Sequence, residues 1–161
     1  MKTNLLKIGV IGVGHLGQHH VKHYCNITDV EFVGFYDTDT QRSYEISKNF
    51  KTKSFESLDK LLLCVDAVSI VSPTVYHSKI AEKCILLKKH VFIEKPITST
   101  VEEADRLIQL SEERNVIIQV GHIERLNPAL KALNKYLLEP KYMEIQRLSP
   151  YSIRGTDVPV V

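Results

Sequence analysis

Three glycines close to the amino terminus have the spacing of a phosphate-binding loop. Gly12, Gly14 and Gly17 form the pattern G-x-G-x-x-G, and the residues between the last two glycines are His15 and Leu16. In such a loop the first glycine permits a tight turn, the second lets the backbone approach a pyrophosphate, and the third lets a helix pack on a sheet. The helix that follows directs free N–H groups at the phosphates. The pattern predicts a dinucleotide site, with Leu16 beside the phosphates and His15 close enough to touch phosphate or substrate.

An acidic residue follows the loop at the distance expected for a group that reads a ribose. Asp37 lies 20 residues beyond Gly17, at the end of the second predicted strand. Its carboxylate would accept hydrogen bonds from the adenosine ribose hydroxyls and would repel a 2′-phosphate. The nearest arginine is Arg42, which does not follow immediately. The spacing therefore predicts NAD as the cofactor, in preference to NADP.

Two later stretches place polar residues where predicted strands end. The first follows the fourth predicted strand, and its candidate cofactor contacts are Ser72, Pro73, Thr74 and His77. The second follows the fifth predicted strand and consists of Glu94, Lys95 and Pro96. Because ligands of open α/β sheets bind at the carboxyl ends of strands, we expect both stretches to border the cofactor. A lysine that leaves a buried strand there is either a surface charge or a functional group, and we predict a functional role for Lys95.

Four histidines near the glycine loop raise the question of a metal site. His15, His19 and His23 are spaced i, i+4 and i+8, and His20 lies beside them. No carboxylate or cysteine nearby completes a set of ligands, so we predict that no metal binds. The spacing also fits the solvated face of a helix.

The three cysteines have no spacing that is typical of metal ligands. They are Cys25, Cys64 and Cys84, and each has apolar neighbours in the sequence. An odd number in this setting predicts reduced thiols in the core.

Alternating strands and helices must position these residues. Short apolar runs predict strands over residues 5–11, 30–36, 51–54, 66–71, 90–94 and 116–120. Helices are expected between them, over 15–25, from Thr38 with Gln41 as its capping partner, over 57–63, over 75–88, and from a capping box at Thr100 to Glu103. The inward face of this last helix is predicted to carry Val101, Ala104, Leu107, Ile108 and Ser111. The alternation predicts an α/β fold, a doubly wound and mostly parallel Rossmann sheet with helices on both faces.

The pattern changes after Gly121. A helix is expected over 127–138, starting at Asn127 and Pro128, and a strand over 141–148, whereas residues 150–161 contain no clear element. We therefore predict a dinucleotide-binding domain over residues 1–122. Residues 123–161 are expected to begin a C-terminal domain for substrate binding and oligomerisation.

Composition excludes several classes of function. Of the 161 residues, 43% are apolar and 25% charged, which is typical of a globular domain. The formal net charge is only +2, so neither nucleic acid nor an anionic membrane is expected as a partner. No apolar run reaches the roughly 20 residues that a membrane-spanning helix needs. The cytoplasm is therefore the expected location.

Together these motifs resemble the Gfo/Idh/MocA family of oxidoreductases. The resemblance rests on the glycine loop, on Ser72-Pro73-Thr74 with His77, on the stretch from His90 to Pro96, and on Val120-Gly121-His122. It implies reversible hydride transfer between a nicotinamide cofactor and a carbinol carbon of a sugar-like substrate such as a sugar, nucleotide sugar or cyclitol. Lys95 would match the catalytic lysine, the bond from Lys95 to Pro96 would be cis, and Glu94 and His122 would lie in the cofactor site. Residues 121–129 are also similar to members that oxidise nucleotide sugars.

The resemblance also implies what the chain lacks. Members of the family normally continue for another 150 residues or more, with a second domain that supplies the substrate wall and often the oligomer interface. We therefore expect this chain to be an N-terminal part of a homo-oligomeric enzyme, inactive by itself. The alternatives are a non-catalytic dinucleotide-binding sensor or regulator, and a fragment that holds no ligand. The fold alone does not separate them.

Overall fold

Five parallel strands form the central sheet in a computed structural model that describes residues 5–136, 139, 141–146 and 148. In chain order the strands are β1 (Leu6–Ile11), β2 (Val30–Tyr36), β3 (Ala67–Ile70), β4 (His90–Ile93) and β5 (Ile118–Val120). Their spatial order is β2-β1-β3-β4-β5, and every neighbouring pair is parallel. The chain therefore reverses its direction of winding between β1 and β3, which is where open sheets of this kind have their ligand crevice.

Six α-helices accompany the strands in the described part of the chain. They are α1 (Gly17–Tyr24), α2 (Thr40–Phe50), α3 (Leu58–Leu62), α4 (His77–Leu86), α5 (Val101–Arg114) and α6 (Pro128–Lys131). Short 3-10 helices cover Thr74–Tyr76, Ile123–Leu126 and Ala132–Lys135. None of the described helices is long and apolar enough to cross a membrane.

Helices cover both faces of the sheet because adjacent strand residues point to opposite sides. Val10 belongs to a cluster with Val21 of α1 and Ile46 of α2. Its neighbour Ile11 belongs to a larger cluster, which also contains residues of α3, α4 and α5 such as Leu61, Ile85 and Leu107. Strands buried on both faces need nearly continuous apolar sequence, which explains why β1 was recognisable from its apolar run. The predicted doubly wound α/β fold is confirmed.

The predicted strand over 51–54 is wrong. Only one isolated bridge forms there, between Phe35 and Ser54. The Phe35 N–H donates to the Lys53 carbonyl oxygen at 3.0 Å, and the Phe55 N–H donates to the Phe35 carbonyl oxygen at 2.8 Å. The segment pairs with the edge of β2 at a single residue, so the sheet has five strands. The strand predicted over 116–120, sixth in the prediction, is therefore the fifth strand of the sheet.

Side-chain caps mark the starts of α2 and α5. Thr100 and Glu103 form the predicted capping box at the start of α5, which is confirmed. The predicted start of α2 at Thr38 is wrong, because Asp39 caps this helix by accepting a hydrogen bond from the Arg42 N–H at 2.9 Å. Asp39 is extended there (φ −86°, ψ 106°), and the helix begins at the next residue.

Two predictions of burial fail where a helix end or helix face turns toward solvent. Cys84 is buried, and burial raises the pKa of its thiol to about 12. Cys25 and Cys64 are exposed, because both lie at the ends of helices, where apolar neighbours in sequence do not imply burial. On α5 the inward side carries Leu107, Leu110 and Ser111, whereas the predicted members Val101 and Ile108 are exposed.

The chain divides into two compact units, 1–121 and 122–161. In the second, Asn127 caps α6 by accepting a hydrogen bond from the Ala129 N–H at 2.9 Å. The helix predicted over 127–138 begins there but continues as a 3-10 helix to Lys135. Its predicted end and residues 150–161 lie outside the described residues. The described residues of 141–148 form no strand, so that prediction is wrong.

Candidate functional site

The glycine loop connects β1 to α1, and its glycines differ in what surrounds them. Gly12 has a φ of +87°, and a Cβ there would lie 2.9 Å from the Ser72 backbone nitrogen. A Cβ on Gly17 would lie 2.0 Å from the Gly12 carbonyl oxygen. A Cβ on Gly14 would meet nothing within 4 Å. Two glycines are therefore required by the protein itself, while Gly14 faces open space.

The same loop carries backbone donors without a partner in the part of the protein that the structure describes. The N–H groups of Gly14, His15 and Leu16 donate to no group among the described residues. Helix α1 begins at the next residue, Gly17, and adds the positive end of its dipole. The His15 and Leu16 side chains are exposed, and the His15 ring packs edge-on against His19 at 5.8 Å between centroids. Free N–H groups at a helix start form an anion-binding site.

Asp37 is joined directly to the loop. Its Oδ2 accepts a hydrogen bond from the Val13 N–H at 2.7 Å, and its Oδ1 accepts from the Asp39 N–H at 2.8 Å. The side chain is 7% exposed. The carboxylate that directly follows β2 is therefore fixed against the glycine loop, with acceptor capacity remaining on both oxygens.

Arg42 lies closer to this carboxylate than its sequence distance suggested. Its guanidinium is 3.5 Å from Asp37 Oδ1 and 3.1 Å from Asp39 Oδ2. The first turn of α2 brings it back toward the end of β2. The sequence signal for this contact was Asp39 at the start of α2. The side chain three residues after a helix cap lies close to the cap residue.

His77 ties the loop after β3 to the turn after β4. It is buried, with Nδ1 3.0 Å from the Pro96 carbonyl oxygen and Nε2 2.8 Å from the Ser72 carbonyl oxygen. Both ring nitrogens therefore face backbone of the protein. Thr74 is buried, while Pro73 is exposed. The structure thus brings the loops of Ser72 and Pro96 together.

The turn after β4 carries Glu94 and Lys95. Glu94 is 14% exposed, and Lys95 is exposed. The Lys95 N–H donates to Glu94 Oε2 at 3.3 Å. The bond between Lys95 and Pro96 is cis, which confirms that prediction.

His20 is the site residue that the sequence reasoning missed. Its Nε2 lies 3.1 Å from Glu94 Oε1, and its Nδ1 lies 3.0 Å from Ser69 Oγ. Burial lowers the pKa of His20, and the nearby Glu94 carboxylate opposes that shift. The sequence signal for the inward position of His20 was its place next to Val21, which faces the sheet. His19 and His23, in contrast, are exposed.

No group of three or more potential metal ligands occurs among the residues that the structure describes. His122 is exposed and belongs to the second unit.

Comparison with known protein families shows which family the chain belongs to. The sequence model of the Gfo/Idh/MocA family matches residues 6–122. It is described as an oxidoreductase family with an NAD-binding Rossmann fold. The chain belongs to the Gfo/Idh/MocA family. The match spans the sheet, the glycine loop and the Lys95 turn.

Individual members of the family are also similar. UDP-N-acetylglucosamine 3-dehydrogenase of Acidithiobacillus ferrooxidans is 40% identical over 157 residues, which are 97% of this chain and 50% of that protein. Its solved structure has a TM-score of 0.77 at 41% identity, covering 83% of this chain and 43% of the other. Glucose-6-phosphate 3-dehydrogenase of Bacillus subtilis is 33% identical over 71% of this chain and 33% of its own length. The chain thus spans half or less of these relatives.

The residues present fit the dinucleotide that the family name implies. The open side of Gly14 and the unpartnered N–H groups of residues 14–16 suit a pyrophosphate. The fixed Asp37 carboxylate at the adjacent strand end suits a ribose.

Proposed function

We propose that this chain is the cofactor-binding part of an oxidoreductase that transfers a hydride between NAD and a CH–OH carbon of a sugar, nucleotide sugar or cyclitol. The observation that carries the proposal is the link between two loops at one sheet edge. Gly12 lies against Ser72, and His77 bridges Ser72 to Pro96. The glycine loop and the Lys95 turn are thereby held in one framework.

The choice of NAD over NADP rests on charge at the end of β2. Asp37 and Asp39 bring two negative charges, and Arg42 brings one positive charge that both carboxylates already engage. A 2′-phosphate would have to approach this net negative group, whereas ribose hydroxyls would donate to Asp37. The arrangement supports NAD.

Lys95 is the proposed catalytic residue. A bound nicotinamide supplies the hydride acceptor when the alcohol is oxidised. Oxidation of the alcohol also requires the hydroxyl proton to leave, and an uncharged Lys95 amine would accept that proton. Its exposed position at the end of β4 supports this role. The names of the relatives, which act on a nucleotide sugar and a sugar phosphate, support the substrate class.

The remaining predicted contacts belong to the same proposal. The backbone of His15 and Leu16 would hold phosphate, while Ser72, Pro73, Thr74 and Glu94 would border the nicotinamide half. His77 would act by fixing those loops. His122 would contact the cofactor as the last residue of the dinucleotide-binding domain. Residues 123–161 would begin a C-terminal substrate domain, through which subunits would associate.

The decisive experiment measures hydride transfer in the whole gene product, by NADH absorbance with a panel of polyols and nucleotide sugars. Lys95→Ala should lower kcat by at least about 100-fold, because general acid–base groups contribute 10² to 10⁴. Lys95→Arg should be equally impaired, since a guanidinium does not give up its proton.

Lys79→Ala, on an exposed part of α4, is the matched control and should keep full activity. Activity of Lys95→Ala equal to the unmodified protein would contradict the catalytic role. NAD binding without turnover on any alcohol would favour a sensor or regulator instead.

A further inference from the structure

His20 joins three elements, two of which carry residues of the candidate site. It lies on α1, the helix that follows the glycine loop, and its ring reaches Ser69 on β3 and Glu94 at the end of β4. Ser69 is fully buried, so its hydroxyl has no water to bond, and His20 provides its partner. The ring also packs beside Phe92, at 5.8 Å between centroids.

The chemistry of the partners fixes the form of the ring. A carboxylate only accepts hydrogen bonds, so Nε2 must carry the hydrogen that it donates to Glu94. In the neutral ring Nδ1 is then an acceptor, and the Ser69 hydroxyl donates to it. A serine hydroxyl can equally accept, so protonation of His20 would keep both bonds.

Glu94 is confined on its other sides. A Cβ on Gly121 would lie 2.9 Å from Glu94 Oε1, so the carboxylate packs directly on the backbone at the end of β5. Its Oε2 accepts from the Lys95 N–H. A carboxylate with so little exposure requires hydrogen-bonding partners to remain there, and His20 is the side chain that supplies one.

We propose that His20 is a positioning residue, which holds the Glu94 carboxylate between α1 and the Lys95 turn and so sets the geometry of the nicotinamide end of the site. This inference rests on the proposed function for its effect on cofactor binding. His20 itself touches neither the dinucleotide nor the substrate in this role.

The first test compares three variants of this chain for NADH affinity, followed by cofactor fluorescence. His20→Leu removes both hydrogen bonds and should weaken binding by about tenfold, the size expected for losing a bond to a charged group. His20→Gln retains an amide N–H that can reach Glu94 and should recover most of that loss. His19→Leu, on the exposed neighbour, should stay within about twofold.

The second test reads the geometry without a cofactor. In NMR spectra the Lys95 amide resonance should shift in His20→Leu and return toward its original position in His20→Gln. The ring nitrogens of His20 in the unaltered chain should report hydrogen on Nε2 and a bare Nδ1 at neutral pH.

These measurements separate failure of the inference from failure of the function. If the unaltered chain does not bind NADH, the proposed function fails, and the NMR results alone decide the role of His20. The positioning role of His20 would be overturned by a hydrogen on Nδ1 with a bare Nε2. It would also be overturned if the Lys95 amide resonance did not shift in His20→Leu. Equal loss of affinity in the Leu and Gln variants, in step with their melting temperatures, would mean that His20 is only structural.

Discussion

Asp37 has one observed role and one proposed role. It accepts hydrogen bonds from two backbone N–H groups, those of Val13 and Asp39, and its oxygens keep acceptor capacity for the proposed ribose. The first role is local structure and the second is recognition. A substitution that keeps the side-chain shape can separate them.

Asp37→Asn should weaken NAD about tenfold or more, because bonds to a charged acceptor are the stronger ones. Affinity for NADP should rise relative to NAD, since the repulsion of a 2′-phosphate is removed. Titration of both dinucleotides measures this. Asp39→Asn keeps the cap of α2 and is the control. An unchanged ratio of the two affinities in Asp37→Asn would mean that another group reads the ribose.

His20 also makes stability depend on pH. Burial lowers its folded-state pKa below the ordinary 6.5, so the unfolded chain binds more protons between those two values. The free energy of unfolding should therefore rise with pH through the window just below 6.5, and its full contribution should be present above it. Urea titrations from pH 5 to 7.5 measure this. The slope of the unfolding free energy against pH should be smaller in His20→Gln. Identical slopes in the two proteins would mean that His20 does not cause this pH dependence.

At the scale of elements, the loop and helix α1 use glycine for two different reasons. Gly12 and Gly17 are required because backbone atoms occupy the space of a Cβ. Gly14 is not required by any neighbour. One motif thus combines folding requirements with a proposed binding surface.

Gly14→Val should leave the melting temperature of the ligand-free chain nearly unchanged and should weaken NAD at least tenfold, because the new side chain enters the space proposed for the pyrophosphate. Gly17→Ala should lower the melting temperature, since its Cβ would overlap the Gly12 carbonyl oxygen. Calorimetry with and without NAD checks both. Unchanged NAD affinity in Gly14→Val would place the phosphates elsewhere.

At the scale of the whole molecule, stability comes from two apolar clusters on opposite faces of one sheet. The larger lies against α3, α4 and α5, and the smaller against α1 and α2. Helix α1, which follows the glycine loop, therefore packs on the smaller cluster. Changes to the part of the larger cluster that lies on α5 should affect unfolding without altering the site directly.

Leu107 and Ile108, adjacent residues of α5, test whether α5 contributes to stability through the larger cluster. Leu107 is 1% exposed and Ile108 is 47% exposed. Leu107→Ala should lower the free energy of unfolding by about 2–5 kcal/mol, through lost burial and a cavity. Ile108→Ala should change it by no more than about 0.5 kcal/mol. Denaturant titration measures both, and equal losses would mean that α5 packs through a different face.

The sequence by itself determined the fold class and the order of the five strands that form, although it also predicted strands over 51–54 and 141–148, where the described residues form none. Apolar runs, glycine spacing and caps such as Thr100 depend on residues a few positions apart, so they can be read along the chain. The stretches of Ser72 and Lys95 were expected at one sheet edge because parallel strands all end there. Their roles in binding and catalysis remain predictions.

Only the tertiary structure decided which side chains meet. His20 and Glu94 are 74 residues apart, and their contact depends on the strand order and on the face of α1 that packs inward. The exposure of Cys25 and the single bridge at Ser54 also depend on packing around each residue. The glycine pattern likewise did not reveal that only Gly14 faces open space. Such contacts are set by three-dimensional neighbours, which local periodicity does not encode.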